Sequence, residues 1–233
     1  MIAKKSEFSL GLVLMLGFWA VFAILMSPVF PGKSGKVNCL DFMDNLYNSI
    51  SKASAYYIPK VQEKAAAYQG TEINLGIKAK NDAEAARFRN LLATAGAQVT
   101  AGTDNSVSAR ADIAAITRTM LADADAMFAN QGEAIRARYN AEPRQALYDW
   151  YAINKAMVKT LEEAGDFKTA KILYDTQTKA IEPAYNYFGI ESTPIRTQVV
   201  TVVLSLVGYV VYTLWFGFAI LFMFEGWGLK LEH

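Results

Sequence analysis

Most nucleophilic and metal-binding chemistry in proteins uses cysteine and histidine, and this chain has one of each. Cys39 has no fixed cationic partner evident in the sequence that would hold a thiolate, so it reads as a small apolar filler. His233 is the last residue, and Leu231, Glu232 and His233 resemble the start of a vector-encoded histidine tag, so His233 is expected to carry no chemistry. No Ser-His-Asp or Cys-His arrangement can be assembled from this inventory. A histidine-ligated zinc or haem lacks its ligands, and one cysteine cannot hold an iron–sulfur cluster. Neither phosphate-binding glycine pattern, G-x-x-x-x-G-K-[ST] or G-x-G-x-x-G, occurs. Asp123 and Asp125 stand two apart, which on a helix points them in different directions. They are expected on a solvated face rather than as a carboxylate pair. No catalytic, cofactor-binding or metal-binding residue is assigned, and a binding or structural role is expected.

The spacing that does stand out lies inside apolar sequence. Thr201, Ser205, Tyr209, Thr213 and Gly217 recur every four residues, and Gly17, Ala20, Ala23 and Ser27 give a broader small face upstream. Small and hydroxyl residues let two helices approach closely in lipid and hydrogen-bond across the contact. The simplest partner for each stripe is the other one.

The segments that carry these stripes bracket the chain. Residues 8–30 and 199–224 are apolar without an interior charge, and each exceeds the roughly 20 residues needed to cross a bilayer. The first is long for a signal peptide and is followed by no clear small-x-small cleavage site, so an uncleaved anchor is expected. Residues 1–7 and 225–233 are then short stubs, with Trp227 and Lys230 anchoring the second span at the interface. Lys4 and Lys5 precede the first span, which favours cytoplasmic ends and an extracytoplasmic block over 31–196 at an inner or plasma membrane. Long loops are largely exempt from that rule.

The block between the spans is near neutral, with no basic run that would suit nucleic acid. Its pattern predicts an α+β fold, mostly helical, with a two- to three-stranded sheet. A helix begins near Asn38 and is interrupted at Pro59. Ile73, Leu75 and Ile77 alternate with polar residues as a strand. Asn81 with Glu84 marks a helix start and Gly96 its end. Two further strands follow, at Gln98–Ala101 and Ser106–Arg110, across the turn Gly102–Asn105. A long helix is predicted over 112–139, and two more run from Pro143 and from Asp166, joined at Gly165. Gly165 to Ala170, with Tyr174 and Pro183, resembles the second helix of a tetratricopeptide repeat. Such arrays need several stacked units and only one appears, so an ordinary helix hairpin is expected. Tyr185, Tyr187 and Phe188 precede the second span as an aromatic collar at the membrane interface, or else as packing between soluble helices.

The reading that follows is a non-enzymatic, membrane-anchored accessory or scaffold subunit of a larger membrane assembly. Its expected partners are membrane lipids and other integral-membrane proteins, or further copies of itself, and no cofactor is expected. The alternatives are an extracytoplasmic ligand-binding sensory module that signals through a partner, and a self-assembling membrane coat.

Overall fold

The computed structural model describes residues 2–102 and 104–229. The expected features at Lys230 and at 231–233, and one position of the 102–105 turn, lie outside the described residues. Two compact units are present: Met1–Ile50 together with Thr193–His233, and Ser51–Ser192. Residues 31–50 thus belong with the terminal helices rather than with the central domain.

In the first unit, α1 (Lys5–Met26) and α10 (Val199–Gly226) are uninterrupted helices of 22 and 28 residues. At about 1.5 Å per residue they are ~33 and ~42 Å long, enough for the roughly 30 Å of a hydrocarbon core. Only 11% of the apolar window of α1 and none of that of α10 is buried, so neither is the core helix of a soluble bundle. After α1 the chain forms a small hairpin, β1 (Phe30–Gly32) with β2 (Gly35–Val37), where the sequence reads only as a turn-rich exit. Phe30 stacks on Phe42 of α2 (Cys39–Ser54), with ring centroids 5.6 Å apart.

The central domain is built around one split β-α-β unit. β3 (Glu72–Lys78) leads through α4 (Asp82–Thr94) to β4 (Gln98–Ala101), and β5 (Ser106–Asp112) returns between them, giving the order β3-β5-β4. Every pairing is antiparallel. The local signals hold: residues of β3 alternate between exposed and buried, and the Asn81 side chain accepts from Glu84 N at 2.9 Å. Glu84 returns the contact to Lys80 N, one residue earlier than a reciprocal capping box requires. Asp104 and Asn105 both take positive φ (56° and 60°), as a tight hairpin turn demands.

Helices close over the sheet. α3 (Ile58–Ala66) starts afresh with Pro59 in its first turn, where the missing N–H costs nothing. The helix predicted over 112–139 is two helices, α5 (Ile113–Phe128) and α6 (Gly132–Tyr139). Asn130 between them adopts φ +61°, a left-handed residue that ends α5, and the apolar spacing alone does not reveal it. α7 (Pro143–Glu163) and α8 (Phe167–Thr176) form the expected hairpin, with Gly165 at φ +78° and Asp166 accepting from Thr169 N. A π-helical turn over Gln177–Ile181 then joins α8 to α9 (Glu182–Asn186). Of the largest fully buried side chains, Ile116, Met120 and Leu121 lie on α5, Trp150 and Ile153 on α7, and Ile58, Leu91, Leu92 and Ile135 on α3, α4 and α6.

Candidate functional site

The two apolar helices meet along a seam, but not along the four-residue stripe. Gly11, Leu14, Phe18, Val21 and Leu25 are buried or half-buried on α1, and Tyr212, Trp215, Ala219, Phe222 and Gly226 on α10. Both sets alternate steps of three and four, the repeat that keeps one face turned to a partner helix. Glycine permits the closest approaches. A Cβ at Gly11 would lie 2.6 Å from Met223 N, and one at Gly226 would lie 2.5 Å from the Cβ of Phe8. Trp215 Nε1 donates to Leu14 O at 3.0 Å, and the Phe18 ring stacks on Tyr212 at 4.3 Å. The Tyr212 hydroxyl is buried without a partner among the described residues.

Of the expected stripe residues Gly17 faces the seam, under Trp215, and most of the others lie elsewhere. Tyr209 is 68% exposed, Thr213 is exposed with its hydroxyl bonded back to Tyr209 O, and a Cβ at Gly217 would meet nothing within 4 Å among the described residues. The physical reason is helical drift: each four-residue step advances about 40° around the helix, so five such residues leave any straight contact. Thr201 is half-buried, and Ser205 is bonded to Val202 O at 2.8 Å and to the Tyr47 hydroxyl at 2.7 Å. On α1, Gly17 sits under Trp215 and Ser27 donates to Ala23 O, while Ala20 and Ala23 are exposed. The stripe of α10 is therefore not the seam with α1, and much of it forms a separate, open face. Trp227 is exposed at the end of α10, its ring 5.6 Å from Phe8 and 6.3 Å from Phe224.

The aromatic collar packs on the central core. Tyr185, Tyr187 and Phe188 are half-buried against it, with the Arg144 guanidinium over the rings of Tyr185 and Phe188. Beside them Lys52, 2% exposed, donates to Tyr187 O, Ile190 O and Asn130 Oδ1.

Asp123 corrects the sequence reading most sharply. It is 1% exposed, not solvated. Its carboxylate accepts from Trp150 Nε1 at 2.7 Å, from the Tyr139 hydroxyl at 2.5 Å and from Arg138. Burial pushes its pKa up, opposed by those three donors. Asp125 accepts from Tyr56 at 2.8 Å, which raises the tyrosine pKa. Asp149, also buried, takes Arg87 Nε at 2.6 Å and Gln145 Nε2 at 2.9 Å. With these donors engaged, the carboxylates act as ties between helices. The local signal for Asp123 was its place on the apolar side of α5, next to Ala124 and three after Met120.

A smaller basic recess of about 180 Å³ lies between α3 and the π-helical turn, lined by Tyr57, Lys60, Lys64, Asp175 and Lys179. Burial alone would raise the Asp175 carboxyl, but Lys179 at 3.0 Å, with Lys171 and Lys64, holds it below its ordinary value. A lowered carboxylate stabilises the fold above the ordinary aspartate pKa of about 3.9 and loses that share as pH falls through the lower folded value. Asp175→Asn is therefore expected to lower the thermal midpoint at neutral pH and to flatten its decline below about pH 4, measured as midpoint against pH.

Taken together, the architecture is a mostly helical chain with a small antiparallel sheet and two helices long and apolar enough to cross a membrane. No family model matches the chain, and no curated protein or solved structure matches it. Among the described residues, no three His, Cys, Asp or Glu side chains come together as a metal site.

Proposed function

We propose that this chain is a non-enzymatic accessory or scaffold subunit of a membrane assembly. In this reading α1 and α10 are both inserted, the chain ends are cytoplasmic, and the central domain stands outside. The observation that carries it is that α10 has two different faces. One closes on α1 through Ala219 and Gly226, and the other leaves Tyr209, Thr213 and Gly217 uncovered. In hydrocarbon an uncovered tyrosine hydroxyl is costly, so a second helix, from another protein or another copy, is the natural cover. The α1–α10 seam also supports retention of α1, because removing it as a leader would strip Gly226 and Ala219 of their packing.

One feature favours the sensory reading as runner-up. An open cleft of about 670 Å³ is lined by Arg144, Gln145, Tyr148 and Tyr185, together with Glu142 and an Arg87 already paired with Asp149, a set suited to a small aromatic ligand with polar groups. Purification from native membranes in mild detergent, without crosslinker, separates the two. A subunit retains membrane partners in fixed ratio, whereas a sensor is recovered alone and shifts its thermal midpoint with a ligand. In the Cys39→Ala background, an impermeant maleimide should reach Glu133→Cys, at an exposed position, from outside intact cells. Labelling only after lysis would reverse the orientation.

A further inference from the structure

β3 is an edge strand, and its free edge opens into a groove. Ile113 N donates to Thr71 O and Ala79 N to Asn105 O, which fixes the parity of the ladder with β5. The odd-numbered residues of β3 are spent on β5, so Asn74, Gly76 and Lys78 turn their N–H and C=O groups outward. Those groups have no backbone partner among the described residues. Facing them across a groove of about 860 Å³ runs α7. Ala152 and Ala156, one turn apart, keep that wall low, and Val158 adds half-buried apolar surface. Gly76 leaves the opposite wall open, since a Cβ there would meet nothing within 4 Å among the described residues.

The charge of the groove is one-sided. Four lysines line it, at 78, 80, 155 and 159, against Glu84 and Glu162. Lys80 is engaged by Glu84 at 4.0 Å and lies over the Tyr148 ring, and Lys159 pairs with Glu163. Lys78 and Lys155 have no ion-pair partner among the described residues.

We infer that this groove takes an extended acidic segment of a partner protein, added to β3 as a fourth strand with its carboxylates towards Lys78 and Lys155. A strand edge beside a helix is a recurring mode of peptide recognition, in which backbone pairing gives affinity and flanking side chains select the sequence. The inference rests on the scaffold reading and supplies its partner-binding surface. Lysine on an edge strand also guards against self-pairing, and that role alone predicts no acidic binder.

The test uses the full chain in mild detergent and three blocked, fluorescein-labelled heptapeptides read by anisotropy. One alternates Glu with Val, one alternates Lys with Val, and one is the Glu peptide N-methylated at alternate amides. The Glu peptide should bind about tenfold more tightly than either other. The double variant Lys155→Glu/Lys159→Glu, on exposed helix positions, should weaken it by about tenfold, and Gly76→Pro should do the same by removing an outward N–H the sheet does not use. Failure of the Glu peptide to bind, equal binding of the Lys peptide, or indifference to N-methylation overturns the inference. The two readings separate in native-membrane purification. A charge-reversed chain that keeps its partners removes only the groove, whereas a wild-type chain that retains none removes the scaffold reading.

Discussion

Asp123→Ala is expected to unfold the central domain or bring it close to unfolding. The substitution leaves the Trp150 indole N–H and the Tyr139 hydroxyl, both buried, without their shared acceptor, and it strands one end of Arg138. Breaking one side of a buried charged network costs about 3–5 kcal/mol, against a total stability of roughly 5–15 kcal/mol for a domain. Asp123→Asn keeps one acceptor oxygen but turns an amide donor towards other donors, so it should recover only part of the loss. Chemical denaturation followed by tryptophan fluorescence measures both, because Trp150 sits inside the network. A loss below about 1 kcal/mol for Asp123→Ala, no more than a typical point substitution costs, would show that these ties contribute little.

The second large effect belongs to the paired apolar helices. Gly11→Leu should separate α1 from α10, because even its first side-chain carbon would lie 2.6 Å from Met223 N and 2.9 Å from Ala219 O, both backbone atoms that a rotamer change cannot move. Overpacking a close contact costs about 1–3 kcal/mol where neighbours can yield, and more where they cannot. Disulfide trapping between cysteines placed at Leu14 and Trp215, in the Cys39→Ala background, reads the loss. Efficient trapping in wild type and its collapse in the variant is the expected result, and undiminished trapping would mean that the helices do not depend on this approach.

The features that were legible in the sequence are those whose cause is local. β3 announces itself because alternation of Ile73, Leu75 and Ile77 with polar residues encodes one buried sheet face, and α4 because Asn81 and Gly96 supply its two ends. Asp166 and Gly165 mark the α7–α8 turn for the same reason. What escaped depends on distant residues or on three-dimensional phase. Asp123 is buried because Tyr139 and Trp150, from two other helices, converge on it, and no local pattern contains them. The hairpin at Phe30–Val37 is too short for alternation to register. The split between α5 and α6 turns on the single left-handed Asn130. The helix seam was readable, since its three-and-four spacing is present in both segments. It was masked by the more conspicuous four-residue stripe, which wraps round α10 instead of following one side.

That distinction gives the most direct test of the scaffold reading. Gly217 lies on the open face of α10, where an added Cβ would meet no atom of the described residues within 4 Å. Gly217→Leu and Val211→Leu, the second at an exposed position about 120° further round α10, should therefore leave the α1–α10 pair and the central domain equally intact. They should differ only in what travels with them through purification from native membranes. Wild type and Val211→Leu are expected to bring the same membrane partners in fixed ratio, or further copies of this chain, and Gly217→Leu to lose most of them. Equal recovery from all three, or recovery of the wild-type chain alone, would contradict an intramembrane docking face and with it the role proposed for this protein.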